Sequence, residues 1–189
     1  MSPEPLLEIR QLVKRFGGFR ALDGISFSLA PGEVLGLVGP NGSGKTTCIN
    51  VISGLHPPDG GDVRFEGAAI GGQATHLLAR RPAGELNSAQ QKRLDLARAL
   101  ATAPRLLLVD ELAAGLNPTE LSAIADRLRV LADNGMTLLV VEHLLGFIDK
   151  LTDRVIVMNA GKEIFEGTLS AATRDAEVVR VFLGQAHAG

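Results

Sequence analysis

The chain has no Trp and no Tyr, only seven Phe, and a single cysteine in 189 residues. So few rings argue against an aromatic platform on which single-stranded nucleic acid could stack. Charge points the same way: nineteen basic against twenty-one acidic residues leave a net charge of −2, not a basic groove. One cysteine, Cys48, excludes an internal disulfide and fits a reducing compartment. It reads as a small buried helix residue. No apolar run approaches the ~20 residues that cross a bilayer as a helix. The N-terminus, with Glu4 and Glu8, lacks a basic-then-apolar leader pattern. A soluble chain is expected, whose dealings with a membrane run through a partner. Repeats and low-complexity tracts are absent, and the length suits one domain with a sizeable core.

What is present begins with Gly39-Pro40-Asn41-Gly42-Ser43-Gly44-Lys45-Thr46-Thr47. It matches G-x-x-x-x-G-K-[ST], and its flanks are those the motif requires. Glu33-Val34-Leu35-Gly36-Leu37-Val38 before it reads as a buried strand, and Thr46 to Ile52 after it can run on as a helix. Backbone N–H groups of a glycine-rich turn, together with a helix N-terminus, form an anion site. Gly39, Gly42 and Gly44 let the chain approach phosphate oxygens closely. Lys45 would reach the β- and γ-phosphates and the Thr46 hydroxyl would hold Mg²⁺. A chance glycine-rich turn would not need both flanks to be right. The motif predicts nucleoside triphosphate binding.

Elsewhere the pattern alternates between strands and helices. In residues 5–30, Leu7, Ile9, Ile25, Phe27 and Leu29 point one way between polar neighbours, the mark of half-buried antiparallel strands closed by Pro31-Gly32. Residues 55–61 read as a loop, and Asp62 to Glu66 as a further strand. Residues 71–84 have weak periodicity and read mostly as loop with a short helix. Asn87 followed by Gln90 makes a capping-box pattern, with Leu94, Ala97 and Ala101 as the apolar face until Pro104. The runs Arg105–Asp110 and Thr137–Glu142 have the length of buried parallel strands. Between them Asn117 caps a helix that has Pro118 first and Glu120 third, with Leu121, Ile124, Leu128 and Leu131 as its stripe and Asn134-Gly135 as its stop. Residues 155–158 and 163–166 read as a hairpin around Asn159-Ala160-Gly161-Lys162, and the tail after Thr168 leans helical. The result is an α/β fold: a mostly parallel sheet with helices on its faces.

Two further positions carry chemistry. Leu106-Leu107-Leu108-Val109-Asp110-Glu111 is an apolar strand ending in two carboxylates, which at the C-terminal edge of a parallel sheet face the ligand crevice. Alone such a pair is ordinarily a polar loop. Behind a phosphate loop, Asp110 suits a Mg²⁺-linked water and Glu111 the base that orients or deprotonates the attacking water. His143 also ends a strand and can project over that edge toward the γ-phosphate; His56, His76 and His187 lack such support.

On these residues the chain resembles the nucleotide-binding subunits of ATP-binding-cassette transporters, most of all those serving bacterial branched-chain amino-acid importers. The resemblance rests on Lys14-Arg15-Phe16-Gly17-Gly18, the phosphate loop, the stretch from Gln90 to Ala101, Ala113-Ala114-Gly115-Leu116-Asn117-Pro118 and Glu142-His143, and it extends to Val181-Phe182-Leu183-Gly184. It implies a P-loop NTPase core with an N-terminal antiparallel β-subdomain, a shortened cassette forming a single domain over 1–189. Within that, 5–70 is the β-rich part with the phosphate loop and 71–85 a shortened linker in place of a helical subdomain. Residues 86–167 hold the signature helix, catalytic strands and hairpin, and 168–189 the helical tail. It further implies ATP and Mg²⁺ as ligands, a second cassette and transmembrane permease subunits as partners, and a peripheral position at the cytoplasmic face of the membrane. Phe16 would stack on adenine, with Phe19 the weaker candidate; Asn117 would lie in the loop meeting the second protomer; His143 would be the switch histidine. Asn87, Ser88, Ala89 and Gln90 would form the signature that closes the partner's site, where a helix N-terminus favours phosphate charge.

Departures from the family pattern are also present. Asn87 stands for a serine and Ala89 for a glycine, while Leu112 and Leu144 replace the usual proline and aspartate. Only 42 residues (87 − 45) separate Lys45 from Asn87, where the family has a core strand, a glutamine-bearing loop and a helical subdomain. Gln73 precedes the expected strand and is not assigned the glutamine's role. The sheet is expected to present an unpaired edge there. Three readings are open: an ATP-hydrolysing import subunit, a degenerate cassette that binds ATP without productive turnover, and a P-loop ATPase outside transport, which the signature-like helix and Glu142-His143 disfavour.

Overall fold

The alternation in residues 5–30 folds as an antiparallel pair, β1 (Leu7–Phe16) and β2 (Phe19–Leu29), with Leu7, Ile9, Ile25, Phe27 and Leu29 all buried. The computed structural model describes residues 4–70, 96, 99–100, 103–112 and 115–186. The strand expected at Asp62–Glu66 runs from Gly60 to Phe65 (β4), because Glu66 takes φ 51 and turns the chain into β5 (Ala68–Ala69). These four strands form one sheet in the order β2-β1-β4-β5. In β1 the alternation is interrupted: Gln11 has φ 47 and the register shifts between Ile9 and Leu12. Such a bulge inserts one residue and re-aims the side chains beyond it. It turns Leu12 and Lys14, not Gln11 and Val13, toward the interior.

The second sheet has the order β6-β7-β3-β8-β9, formed by β3 (Val34–Val38), β6 (Leu106–Asp110), β7 (Thr137–Val141), β8 (Arg154–Asn159) and β9 (Lys162–Gly167). All its pairings are parallel except that of β8 with β9. The near-continuous apolar character of β3, β7 and β8 comes from burial on both faces. Leu35, Leu37, Leu139 and Ile156 pack toward the first sheet together with Cys48 and Ile52 of α1 (Lys45–Ile52). Val34, Val38, Val140 and Val155 pack the other way, onto α2 (Pro118–Asp133) and α3 (Leu145–Leu151) through Ile124, Leu128, Phe147 and Ile148. On α2, Leu121 and Leu131 are only half-buried, and Ala125 and Ala132 complete the covered stripe. The tail forms α4 (Leu169–Ala172) and α5 (Ala176–Ala186), which add Ala172 and Val178 to this second core.

Parallel strands share a carboxyl edge, and here that edge collects the chemistry. Leu37 pairs with Val141, and Val141 with Asp110, so the ends of β3, β7 and β6 are level. Among the described residues β6 has β7 as its one partner strand. The proposed signature residues Asn87, Ser88, Ala89 and Gln90, the helix face Leu94, Ala97 and Ala101, and Gln73 lie outside the described residues.

Candidate nucleotide-binding site

The loop leaving β3 is held by close backbone approaches that only glycine permits. A Cβ on Gly39, at φ 148, would sit 2.2 Å from the carbonyl oxygen of Met158 at the end of β8. One on Gly44, at φ 104, would sit 2.6 Å from the carbonyl of Ala21 in β2. The loop is therefore wedged between the two sheets. The Gly161 N–H of the β8–β9 turn donates to the Ser43 carbonyl at 3.0 Å and braces it further. Gly44 is also the N-cap of α1 and supplies no side-chain cap, so the first N–H groups of the helix look toward a ligand for their partners.

Lys45 curls back over this loop. Its ammonium donates to the carbonyls of Gly39 and Pro40, each at 2.9 Å, and to Ser43 Oγ at 3.4 Å. Burial lowers its pKa, while the fields of Glu111 and Asp110 pull the other way. That coupling brings the loop and the two carboxylates into one electrostatic unit. Asp110, at the tip of β6, has its pKa raised by burial first and then by the negative charges of Glu111 and Glu142, with Lys45 opposing. Glu111 adopts φ 47 and its N–H donates to the Val141 carbonyl at 3.0 Å. A left-handed glutamate costs on the order of 1 kcal/mol, a form of strain that gathers at functional sites. Thr46 and Asn41 are exposed and Thr47 is half-buried at the mouth of the loop.

His143 comes after β7, which ends at Val141, two residues before the strand end expected. Its side chain is half exposed, and its N–H donates to Glu142 Oε2 at 3.3 Å, with Nδ1 at 3.8 Å from the same oxygen. Glu142 itself is fully buried. Asn117 does cap α2, in a complete capping box: Glu120 N–H donates to Asn117 Oδ1 at 3.0 Å and Asn117 N–H to Glu120 Oε2 at 3.1 Å. Its oxygen is thus committed to the helix.

Phe16 and Phe19 stand across from each other at the turn end of the β1–β2 hairpin, both exposed. Phe16 is distinguished by its neighbours. Lys14 Nζ lies 5.6 Å from its ring centroid and the His56 ring meets it edge-on at 5.3 Å and 79°. Sequence spacing gave His56 no role. The bulge at Gln11 that buries Lys14, and the turn that returns residues 55–59 to the hairpin, are what unite the three.

A Mg²⁺ ion fits this donor set. Among the described residues no three His, Cys, Asp or Glu side chains converge as a metal cage. Mg²⁺ in phosphate sites does not need one: it takes one or two protein oxygens, phosphate and water. Asp110, with its ionised form disfavoured by crowded negative charge, is a group that a cation relieves.

The family described as ABC transporter matches residues 22–82. The branched-chain amino acid transport ATP-binding protein BraF of Pseudomonas aeruginosa is 28% identical over 254 aligned positions, covering 96% of this chain and 99% of BraF. Nod factor export ATP-binding protein I of Paraburkholderia xenovorans is 30% identical, covering 95% of this chain and 77% of that protein. The crystal structure of the ADP conformation of an ATP-binding cassette of an ABC transporter superposes with a TM-score of 0.85 at 27% identity, over 95% of this chain and 99% of that one. The BraF alignment is longer than this 189-residue chain, so at least 65 of its positions (254 less 189) have no counterpart here. The chain belongs to the ATP-binding subunits of ABC transporters.

Proposed function

We propose that the chain binds Mg-ATP on the phosphate loop and hydrolyses it at an interface with a second cassette, driving a transmembrane permease. The observation that carries this reading is the phosphate loop between β3 and α1, with Lys45 folded over it and Asp110 on the level carboxyl edge of the same sheet. The N–H groups of residues 41–45 and the Lys45 ammonium bind the β- and γ-phosphates, with Asn41, Ser43 and Thr47 completing the cradle. To reach phosphate, Lys45 exchanges its carbonyl partners at Gly39 and Pro40 for stronger charge-assisted bonds. The Thr46 hydroxyl and Asp110 would hold Mg²⁺, which would neutralise phosphate charge. Glu111 orients or deprotonates the attacking water, and His143 contacts the γ-phosphate. Phe16 packs on adenine. Asn87, Ser88, Ala89, Gln90 and Asn117 serve the site of the opposing cassette. Amino-acid import, with the chain at the cytoplasmic face of the membrane, is the assignment favoured by the similarity to BraF, whose alignment spans 96% of this chain.

A degenerate cassette that binds ATP without turnover is the second reading, favoured by the missing stretch after the phosphate loop. Steady-state ATPase measurement on the purified chain separates the two. The first reading predicts slow hydrolysis that Glu111→Gln removes while stabilising an ATP-bound dimer. Equal background rates for wild type and Glu111→Gln establish the second.

A further inference from the structure

Residues 56–59, between α1 and β4, are clamped to the base-binding hairpin more firmly than a surface connection requires. Lys14 Nζ donates to the Pro57 carbonyl at 2.7 Å and to Asp59 Oδ1 at 3.3 Å. The Arg15 N–H donates to Asp59 Oδ2 at 2.5 Å, and the Asp59 N–H to the Val13 carbonyl at 2.9 Å. The Arg15 amide foremost, and Lys14 after it, hold the Asp59 carboxyl below its ordinary range. At its other end the segment is tied to α1, where the His56 N–H donates to the Asn50 carbonyl at 3.1 Å. His56 is therefore fixed from both sides, and its ring stands edge-on to Phe16 at 5.3 Å.

We propose that His56 is a positioning residue for nucleotide binding: with Lys14 it forms a back plate that holds the Phe16 ring in place for the base. This rests on the reading of Phe16 as the base-stacking residue. Phe16 is 46% exposed at the end of β1, and its ring is met by Lys14 of that strand, with Nζ 5.6 Å from the centroid, and from outside the strand by His56. An aromatic residue that must stack on a flat ligand loses affinity if it has to be ordered on binding. Edge-to-face aromatic contact and a cation over the ring supply that order beforehand. The tie through Asn50 also links the plate to the helix that begins at the phosphate loop. Base and triphosphate subsites are thus set against each other by one continuous segment, residues 45–59.

The test is a double-mutant cycle read as the Mg-ATP dissociation constant by calorimetry. The variants are Phe16→Ala, His56→Ala and the pair, with His56→Phe as the conservative replacement. His56→Ala is expected to weaken binding about three- to tenfold, the scale of one aromatic pair. It is expected to cost nothing further in the Phe16→Ala background, and His56→Phe is expected to stay within about twofold of wild type. Equal losses from His56→Ala with and without Phe16, or no loss at all, overturn the proposal while leaving nucleotide binding intact. Wild type that binds no Mg-ATP overturns the underlying functional reading as well.

Discussion

Lys45→Met separates what the lysine does for the fold from what it does for the ligand. In the structure its ammonium makes two hydrogen bonds of 2.9 Å to backbone carbonyls and a longer one of 3.4 Å to Ser43. Hydrogen bonds involving a charged group contribute about 1.5–3 kcal/mol each. Against them stands the desolvation of a buried cation, which is large enough to lower the lysine pKa even with Glu111 and Asp110 nearby. Methionine keeps the length and apolar volume and removes both terms. The two oppose each other, so the change in stability without nucleotide is expected to be small, about 1 kcal/mol, a shift of roughly 2–4 °C in Tm for a chain of this size. The nucleotide term has no such offset. At a ligand concentration one hundred times Kd, binding stabilises the wild type by about 2.7 kcal/mol, or roughly 5–11 °C. Thermal denaturation with and without Mg-ATP reads both terms. The expected result is a small shift in the unliganded variant and no ATP-induced shift. A variant that retains the ATP-induced shift refutes the role of Lys45. One that loses more than about 10 °C without ligand shows the ammonium to be a structural clamp instead.

Asp110→Asn is expected to raise Tm at neutral pH while weakening Mg²⁺-dependent ATP binding. The folded-state pKa of Asp110 is raised by burial and by Glu111 and Glu142, so protonation favours the fold. That contribution is complete below the ordinary value of 3.8 and lost as pH rises through the folded value. The advantage of the variant over wild type should therefore shrink as pH falls toward 3.8 in a Tm-versus-pH series, and an advantage that grows in acid contradicts the sign. Asn117→Ala removes the side-chain half of the capping box on α2, the acceptor for the Glu120 N–H, and leaves the backbone N–H of residue 117 bonded to Glu120. It is expected to cost about 1 kcal/mol, or ~2–4 °C in Tm, and Asn117→Ser should recover most of it.

Where local chemistry dictates local structure, the fold was legible from sequence. The phosphate loop, the Asn117 cap with Pro118 and Glu120, and the Ala160-Gly161 turn, which has φ 46 and 77 as a two-residue hairpin requires, each arise from a few neighbouring residues. The level edge carrying Asp110 was legible too, because apolar runs of strand length with polar ends admit few arrangements, whereas His143 lies two residues beyond the end of β7. What escaped depends on tertiary contact. The bulge at Gln11 has no signature residue, and it decides that Lys14 is buried. The left-handed Glu111 is fixed by its bond to Val141, a partner thirty residues away (141 − 111). His56 looked like an isolated loop histidine because its ring partner, Phe16, lies forty residues earlier (56 − 16). The signature assigned to residues 87–90 stays an inference from resemblance, outside the described residues.

The central claim is that this loop, with Asp110 at its side, is a working Mg-nucleotide site despite the short stretch between it and the signature. Calorimetric titration of the wild-type chain with ATP, with Mg²⁺ present and with Mg²⁺ chelated, tests it most directly. The account predicts one ATP bound per chain, with affinity falling when Mg²⁺ is removed. Absence of binding at millimolar ATP with Mg²⁺ present would contradict it.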